Sequence, residues 1–180
     1  QWHRELTDEE AQKMYAHKAQ LFANQCKLTP ARIMPGIKTL MQQIKADGLK
    51  ICVVTGSAQH ALLDKLLIDF EGLLKEELIV TAFDVKHGKP NPEPYLKGMK
   101  KCGVEPWETI VVENAPLGVQ AAVAARCMTI AVNTGPLPDQ LLADQGANLI
   151  FPTMTALSDA WGTLYEAWNQ TPSSSSSTTL

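Results

Sequence analysis

The sequence predicts an α/β fold, a three-layer Rossmann-like parallel sheet with helices on both faces. Short apolar runs at 50–55, 78–83, 109–113, 128–132 and 147–151 alternate with segments whose apolar residues recur at helical spacing. The connections between them are short, which favours right-handed β-α-β crossovers and hence parallel strands. Ligands bind such sheets beyond the carboxyl ends of the strands, and Thr55, Lys89 and Glu113 all fall at or just past those ends.

The elements follow in order. Thr7 precedes Asp8, Glu9 and Glu10, an acidic first turn, and Leu6, Met14, Ala19, Leu21, Phe22 and Cys26 make residues from about 7 to 27 an amphipathic helix. After Thr29-Pro30 and Pro35-Gly36, a second helix carries Ile37, Leu40, Met41 and Ile44 and stops at Asp47-Gly48. Lys50 to Thr55 reads as a strand buried on both faces. Ser57 is placed to cap the next helix, in which Leu62, Leu63, Leu66 and Leu67 face a core. The run Leu78 to Phe83 leads into a lysine loop, and Glu93 to Cys102 is helical, ending near Gly103. The strand Thr109 to Glu113, an alanine-rich helix from Gly118 to Arg126, the strand Met128 to Val132, a helix around Pro138 to Asp144 and the strand Ala147 to Phe151 complete the alternation. Pro172 and the serines after it have nothing to bury, so 171–180 is expected to be a disordered tail.

Composition narrows the function classes. At 180 residues, 45% hydrophobic and 19% charged, the chain is within reach of one soluble domain with a sizeable core. A net charge of −3 and the lack of basic runs argue against nucleic acid and anionic membranes as partners. No stretch approaches the roughly 18 apolar residues that span a bilayer, and the first residues lack the apolar core of a signal peptide. Cys26, Cys52, Cys102 and Cys127 are widely spaced, with no Cys-x-x-Cys pair, and read as buried thiols in a reducing compartment. A cytoplasmic monomer acting on a small molecule is the expectation.

The most informative stretch is Gly88-Lys89-Pro90-Asn91-Pro92-Glu93-Pro94-Tyr95. Its prolines fix φ and push the preceding residues toward extended geometry, so the loop is stiff and holds the Lys89 ammonium in one place. Thr55-Gly56-Ser57 offers a hydroxyl, a glycine that admits close backbone approach, and N–H groups at a helix start, which are the parts of an anion site. Val111-Val112-Glu113-Asn114-Ala115-Pro116-Leu117-Gly118 runs an apolar strand into an acid, an amide and a helix start. Taken singly, Thr55 ends a strand, Ser57 caps a helix, Lys89 is a solvated lysine and Glu113 is a helix N-terminal acid. Their order on successive strands points instead to phosphate-plus-metal chemistry.

Together these motifs resemble those of the haloacid dehalogenase superfamily of phosphotransferases, in its β-phosphoglucomutase-like branch, over nearly the whole chain apart from the tail. The resemblance implies that residues 1–30 are the remnant of a helical cap and 31–170 the α/β core. It implies that Thr55, Gly56, Ser57 and Lys89 bind the transferring phosphoryl group, with Lys89 and Thr55 catalytic, and that Glu113 and Asn114 hold Mg²⁺. The implied activity is Mg²⁺-dependent phosphoryl transfer on small phosphorylated metabolites, by a phosphatase or a sugar-phosphate mutase, through an aspartyl-phosphate.

Two departures follow. The branch's usual Glu-Asp pair reads Glu113-Asn114 here, and an amide carbonyl brings no charge to a metal. No Asp-x-Asp, the motif that supplies nucleophile and general acid, occurs in the 180 residues. The resemblance places that motif on a central first strand between those ending at Thr55 and Glu113, ahead of the region matched by Thr7 to Cys26. The expectation is an inactive fragment of a longer enzyme with two unpaired strand edges; the alternative is a non-catalytic phosphate-binding protein that has lost the nucleophile. His87 and Asp84 are expected to be solvent-facing, and Trp107, Trp161 and Trp168 to be packing residues.

Overall fold

Thr7 and Glu10 close the start of the first helix reciprocally. The Glu10 amide donates to Thr7 Oγ1 at 3.3 Å, and the Thr7 amide donates back to Glu10 Oε2 at 3.0 Å. With Asp8, Glu9 and Glu10 opposing the helix dipole, helix α1 runs over Asp8–Leu28. The computed structural model describes residues 7–28, 32–57 and 60–170. The expected serine-rich tail, Leu6, the Thr29-Pro30 break and the side chain of Cys26 lie outside the described residues. The chain divides into two compact units, Gln1–Ile33, which contains α1, and Met34–Leu180.

The second unit alternates as its periodicities predict: α2 (Ile37–Ala46), β1 (Val53–Val54), α3 (His60–Asp69), β2 (Ile79–Val80), α4 (Glu93–Cys102), β3 (Ile110–Glu113), α5 (Pro116–Ala124), β4 (Met128–Val132), α6 (Asp139–Ala143), β5 (Leu149–Phe151) and α7 (Met154–Gln170). Every strand pairing is parallel, β1 with β2, β3 with β4 and β4 with β5.

Strand alternation assigns side chains to two layers. Ile130 and Val132 point to one side, where they join Leu40 of α2 and Met154, Leu157 and Trp161 of α7. Val111 points to the other, into a cluster with Tyr95 and Met99 of α4 and Ala121 and Ala122 of α5, and Ala131 packs there with Val119 and Leu142. Helices therefore cover both faces, the three-layer α/β arrangement that the alternation predicts.

The sheet is in two pieces. β1 and β2 form one ladder and β3, β4 and β5 another, with no ladder between β1 and β3 among the described residues. Val54 nevertheless packs against the cluster that contains Val111, so α4 and α5 form one layer over both pieces. The break falls where the resemblance places a further strand.

Several expectations are corrected. The strand expected over 50–55 is regular only at Val53–Val54, and both residues are half-buried rather than fully buried. The run 78–83 is a short strand between two 3₁₀ turns, Glu76–Leu78 and Ala82–Asp84, the second closed by Thr81 and Asp84 as a capping box. Helix α7 was not anticipated, although Met154, Leu157, Ser158 and Trp161 follow the spacing of a buried helical stripe. Trp161 packs as expected and its Nε1–H donates to Asp47 Oδ2 at 2.7 Å. Trp107 does not pack: it is 69% exposed, on the 3₁₀ turn Pro106–Glu108.

No described helix is long and apolar enough to cross a membrane. Cys52, Cys102 and Cys127 are free thiols. Burial, with Cys102 nearby, pushes Cys52 up to about 12, and burial pushes Cys127 up to about 11, so both behave as small apolar side chains.

Candidate active site

Thr55 continues β1 by donating its amide to Val80 O at 2.9 Å. Its Oγ1 accepts the Ser57 amide at 3.1 Å, a local turn that leaves the hydroxyl proton for another acceptor. Where a Cβ on Gly56 or Gly88 would stand, no atom beyond the adjoining residues lies within 4 Å, so the backbone there can be approached closely. Thr55, Gly56, Val85, Lys86, Gly88 and Lys89 are among the walls of one cavity of ≈ 170 Å³. That volume suits a group of phosphate size. Ser57 acts on it indirectly, through its bond to Thr55.

The lysine loop is held by more than its prolines. The Glu93 carboxylate accepts the amides of Lys86 and His87, each at 2.9 Å, and lies 3.0 Å from His87 Nδ1. Asn91 Oδ1 accepts the Glu93 amide at 2.9 Å, and the Asn91 amide donates to Gly88 O at 3.0 Å. These donors, the Lys86 amide first, outweigh desolvation and lower the Glu93 carboxyl to about 2. The Lys89–Pro90 peptide is cis. His87 is paired on the loop surface, and Asp84 accepts the Thr81 amide at 2.7 Å and faces Lys101 at 3.5 Å rather than orienting Lys89.

Lys89 links the two pieces of sheet. Its Nζ donates to Val54 O of β1 at 3.2 Å and forms an ion pair with Glu113 Oε1 at the end of β3. The same ammonium lies 4.8 Å from the Tyr95 ring centroid, and Tyr95 Oη–H donates to Glu113 Oε1 at 2.6 Å. Glu113 Oε2 accepts the amides of Asn114 at 3.0 Å and Ala115 at 3.3 Å. Burial alone would raise the Glu113 carboxyl, but the bonds from Lys89, Tyr95 and the Asn114 amide prevail and hold it below the ordinary value. Burial, then the charge of Glu113, pushes the Tyr95 phenol up, so Tyr95 stays a donor. Gly118 makes room for this arrangement, because a Cβ there would run into the Glu113 carboxylate.

These contacts bear on the expected metal ligands. Two donors on each Glu113 oxygen fill the four lone-pair directions of the carboxylate. Asn114 donates Nδ2–H to Thr134 Oγ1 at 3.1 Å, which leaves its Oδ1 as the available oxygen of the pair. Among the described residues no group of three or more His, Cys, Asp or Glu could hold a metal ion. Mg²⁺ needs hard oxygens in near-octahedral array, usually one or two carboxylates with waters. Glu113 and Asn114 as arranged do not supply that set.

The structure thus gathers Thr55, Gly56 and Lys89 around one cavity, and ties Glu113 to them through Lys89. Sequence reasoning missed Glu93 as the clamp of the loop and Lys86 as a cavity wall. The Asn91-x-Glu93 spacing after Pro90 was the available signal for the first.

Comparison with known proteins adds a second line of observation. The model of the haloacid dehalogenase-like hydrolase family matches residues 1–132. Hexitol phosphatase A of Escherichia coli strain K12 is 39% identical over 100 residues, covering 56% of this chain and 45% of that protein. A beta-phosphoglucomutase-like structure from Bacteroides vulgatus superposes with a TM-score of 0.86 at 50% identity, over 93% of this chain and 66% of that one. The beta-phosphoglucomutase of Clostridium difficile shares the fold, with a TM-score of 0.72 at 24% identity over 91% of this chain and 69% of that one. The chain spans 45% of the length of the first of these relatives and 66% of the second.

Proposed function

The chain belongs to the haloacid dehalogenase-like hydrolase family, and from that membership we propose that its cavity binds the phosphoryl group of small phosphorylated metabolites. The reaction served is phosphoryl transfer by a phosphatase or a sugar-phosphate mutase. The observation that carries this reading is Lys89, anchored at once to Val54 O and to Glu113 beside a cavity walled by Thr55 and Gly56.

Each residue has a physical task in this reading. The Thr55 hydroxyl and the N–H group at Gly56 donate to the phosphoryl oxygens, while the Ser57 amide holds Thr55 Oγ1 in place. Lys89 offsets charge that develops as the group transfers, and it is already fixed in place, so little reorganisation is needed. Glu113 and Tyr95 hold Lys89. Asn114 Oδ1 would give one neutral oxygen to a Mg²⁺ whose carboxylates come from elsewhere, and no step here depends on it. In this reading residues 1–30 are the remnant of a cap and 31–170 the core. Lacking an Asp-x-Asp nucleophile, the 180 residues bind phosphate esters without turning them over.

Calorimetric titration of the chain with glucose 6-phosphate, glucose 1-phosphate and glucose tests this. The phosphate esters should bind and glucose should not, and Thr55→Val should weaken ester binding about tenfold, the loss of one hydrogen bond to a charged group. Equal binding of glucose, or none of either ester, would overturn the phosphate reading. Measurable turnover of an ester by the pure chain would overturn the inactivity.

A further inference from the structure

The charges around the cavity do not all count equally. Lys89 faces it, but its charge is offset by the Glu113 carboxylate in contact with it, and the pair as a unit is neutral. The other cation in the wall is Lys86. Its backbone is fixed, because its amide is one of the two that the Glu93 carboxylate holds at 2.9 Å. Its ammonium makes no hydrogen bond or ion pair among the described residues.

The acids close to Lys86 in sequence are engaged elsewhere. Asp84 accepts Thr81 N–H and Oγ1–H at 2.7 and 2.8 Å and faces Lys101 at 3.5 Å. Glu93 serves the loop amides and His87, with Lys97 Nζ 3.5 Å away. A carboxylate that already accepts this many donors has little affinity left for another cation.

We propose that Lys86 is a binding residue for the phosphate dianion, supplying the uncompensated positive charge of the cavity while Lys89 supplies geometry. The proposal rests on the phosphate reading of the cavity and deepens it. A phosphate monoester at neutral pH carries close to two negative charges, and a neutral Lys89–Glu113 pair cannot balance them. Lys86 sits on a flexible four-carbon stem, so its ammonium can follow the phosphate as it enters and close over its outward-facing oxygens. The site would therefore prefer dianionic monoesters to diesters and carboxylates of similar size.

Sodium phosphate titrated into the isotope-labelled chain, followed by the amide signals of Gly56 and Gly88, tests this. Lys86→Met should weaken phosphate binding about tenfold and Lys86→Arg should keep it, as expected of a charge acting at contact distance near the surface. Lys100→Met, which removes one charge from the last turn of α4, should leave the midpoint unchanged. If Lys86→Met binds as wild type, or Lys100→Met weakens binding equally, the assignment to Lys86 is wrong and the phosphate reading stands. If phosphate leaves both glycine signals of the wild-type chain unmoved, the reading itself fails and takes the assignment with it.

Discussion

Lys89 and Glu113 form an ion pair across the gap between two separate parallel sheets, with side chains only 20% and 11% exposed. Such a pair links fold and site, since it aims the ammonium and also ties the end of β3 to β1 through Val54 O. Breaking a buried pair by removing one partner costs far more than the pair itself contributes, because the survivor is left charged and unpaired.

The pair should make stability depend on acidity in a defined direction. Glu113 in the folded chain titrates below its ordinary value of 4.5. Its contribution is therefore complete above that value and is lost as pH falls through the lowered folded pKa. Glu113→Gln should be less stable than wild type by about 3 kcal/mol near neutrality. The difference should shrink on acidification, other carboxylates cancelling between the two proteins. Urea midpoints measured from neutral to strongly acidic pH decide it. A gap that stays constant across that range would mean that the charge of Glu113 contributes nothing.

Gly118 should matter through Glu113 alone. An alanine there drives its Cβ into the carboxylate and pushes it off Lys89, with an overpacking cost of about 1–3 kcal/mol. Once the carboxylate is removed, the three atoms nearest to that methyl group are gone. In a double-mutant cycle, Gly118→Ala should cost much less in a Glu113→Ala background than in wild type. Additive costs would show that Gly118 is needed for another reason.

Most of the architecture was legible because its signals are local. Apolar runs such as Met128 to Val132 and periodic stretches such as Ile37, Leu40, Met41 and Ile44 report burial directly. Residues 50–55 carried the same kind of signal and misled about length, because among the described residues β1 is paired only to β2, in a ladder of two residues. Trp107 and Trp161 are the same residue type with opposite fates. Trp161 follows Leu157 on a buried helical stripe, whereas Trp107 stands on a three-residue turn with no helical face to bury. In the site, the proline loop located Lys89, but its partners could not be read. Tyr95 and Glu113 lie 18 positions apart in sequence, and only the packing of α4 against the end of β3 joins them. Of the four donors on Glu113, the two backbone amides are a product of the turn into α5, and Lys89 and Tyr95 reach it from the loop and α4.

Two glycines that bracket α2 separate backbone strain from steric contact. Gly36 has φ of 85° and Gly48 has φ of 78°, both in the left-handed region that side chains disfavour. A Cβ on Gly48 would meet nothing within 4 Å, whereas one on Gly36 would stand 2.6 Å from the backbone N and Cα of Thr155, at the start of α7. Gly48→Ala should therefore cost about 1–2 kcal/mol, the conformational penalty alone. Gly36→Ala adds the clash with backbone, which cannot move without shifting α7 off Leu40, and should cost about 2–5 kcal/mol in all. Urea denaturation of the two variants beside wild type measures both. The same measurement tests whether the α2–α7 layer is as close-packed as Trp161 and Leu157 suggest, since equal losses would show that α7 yields to a methyl group at little cost.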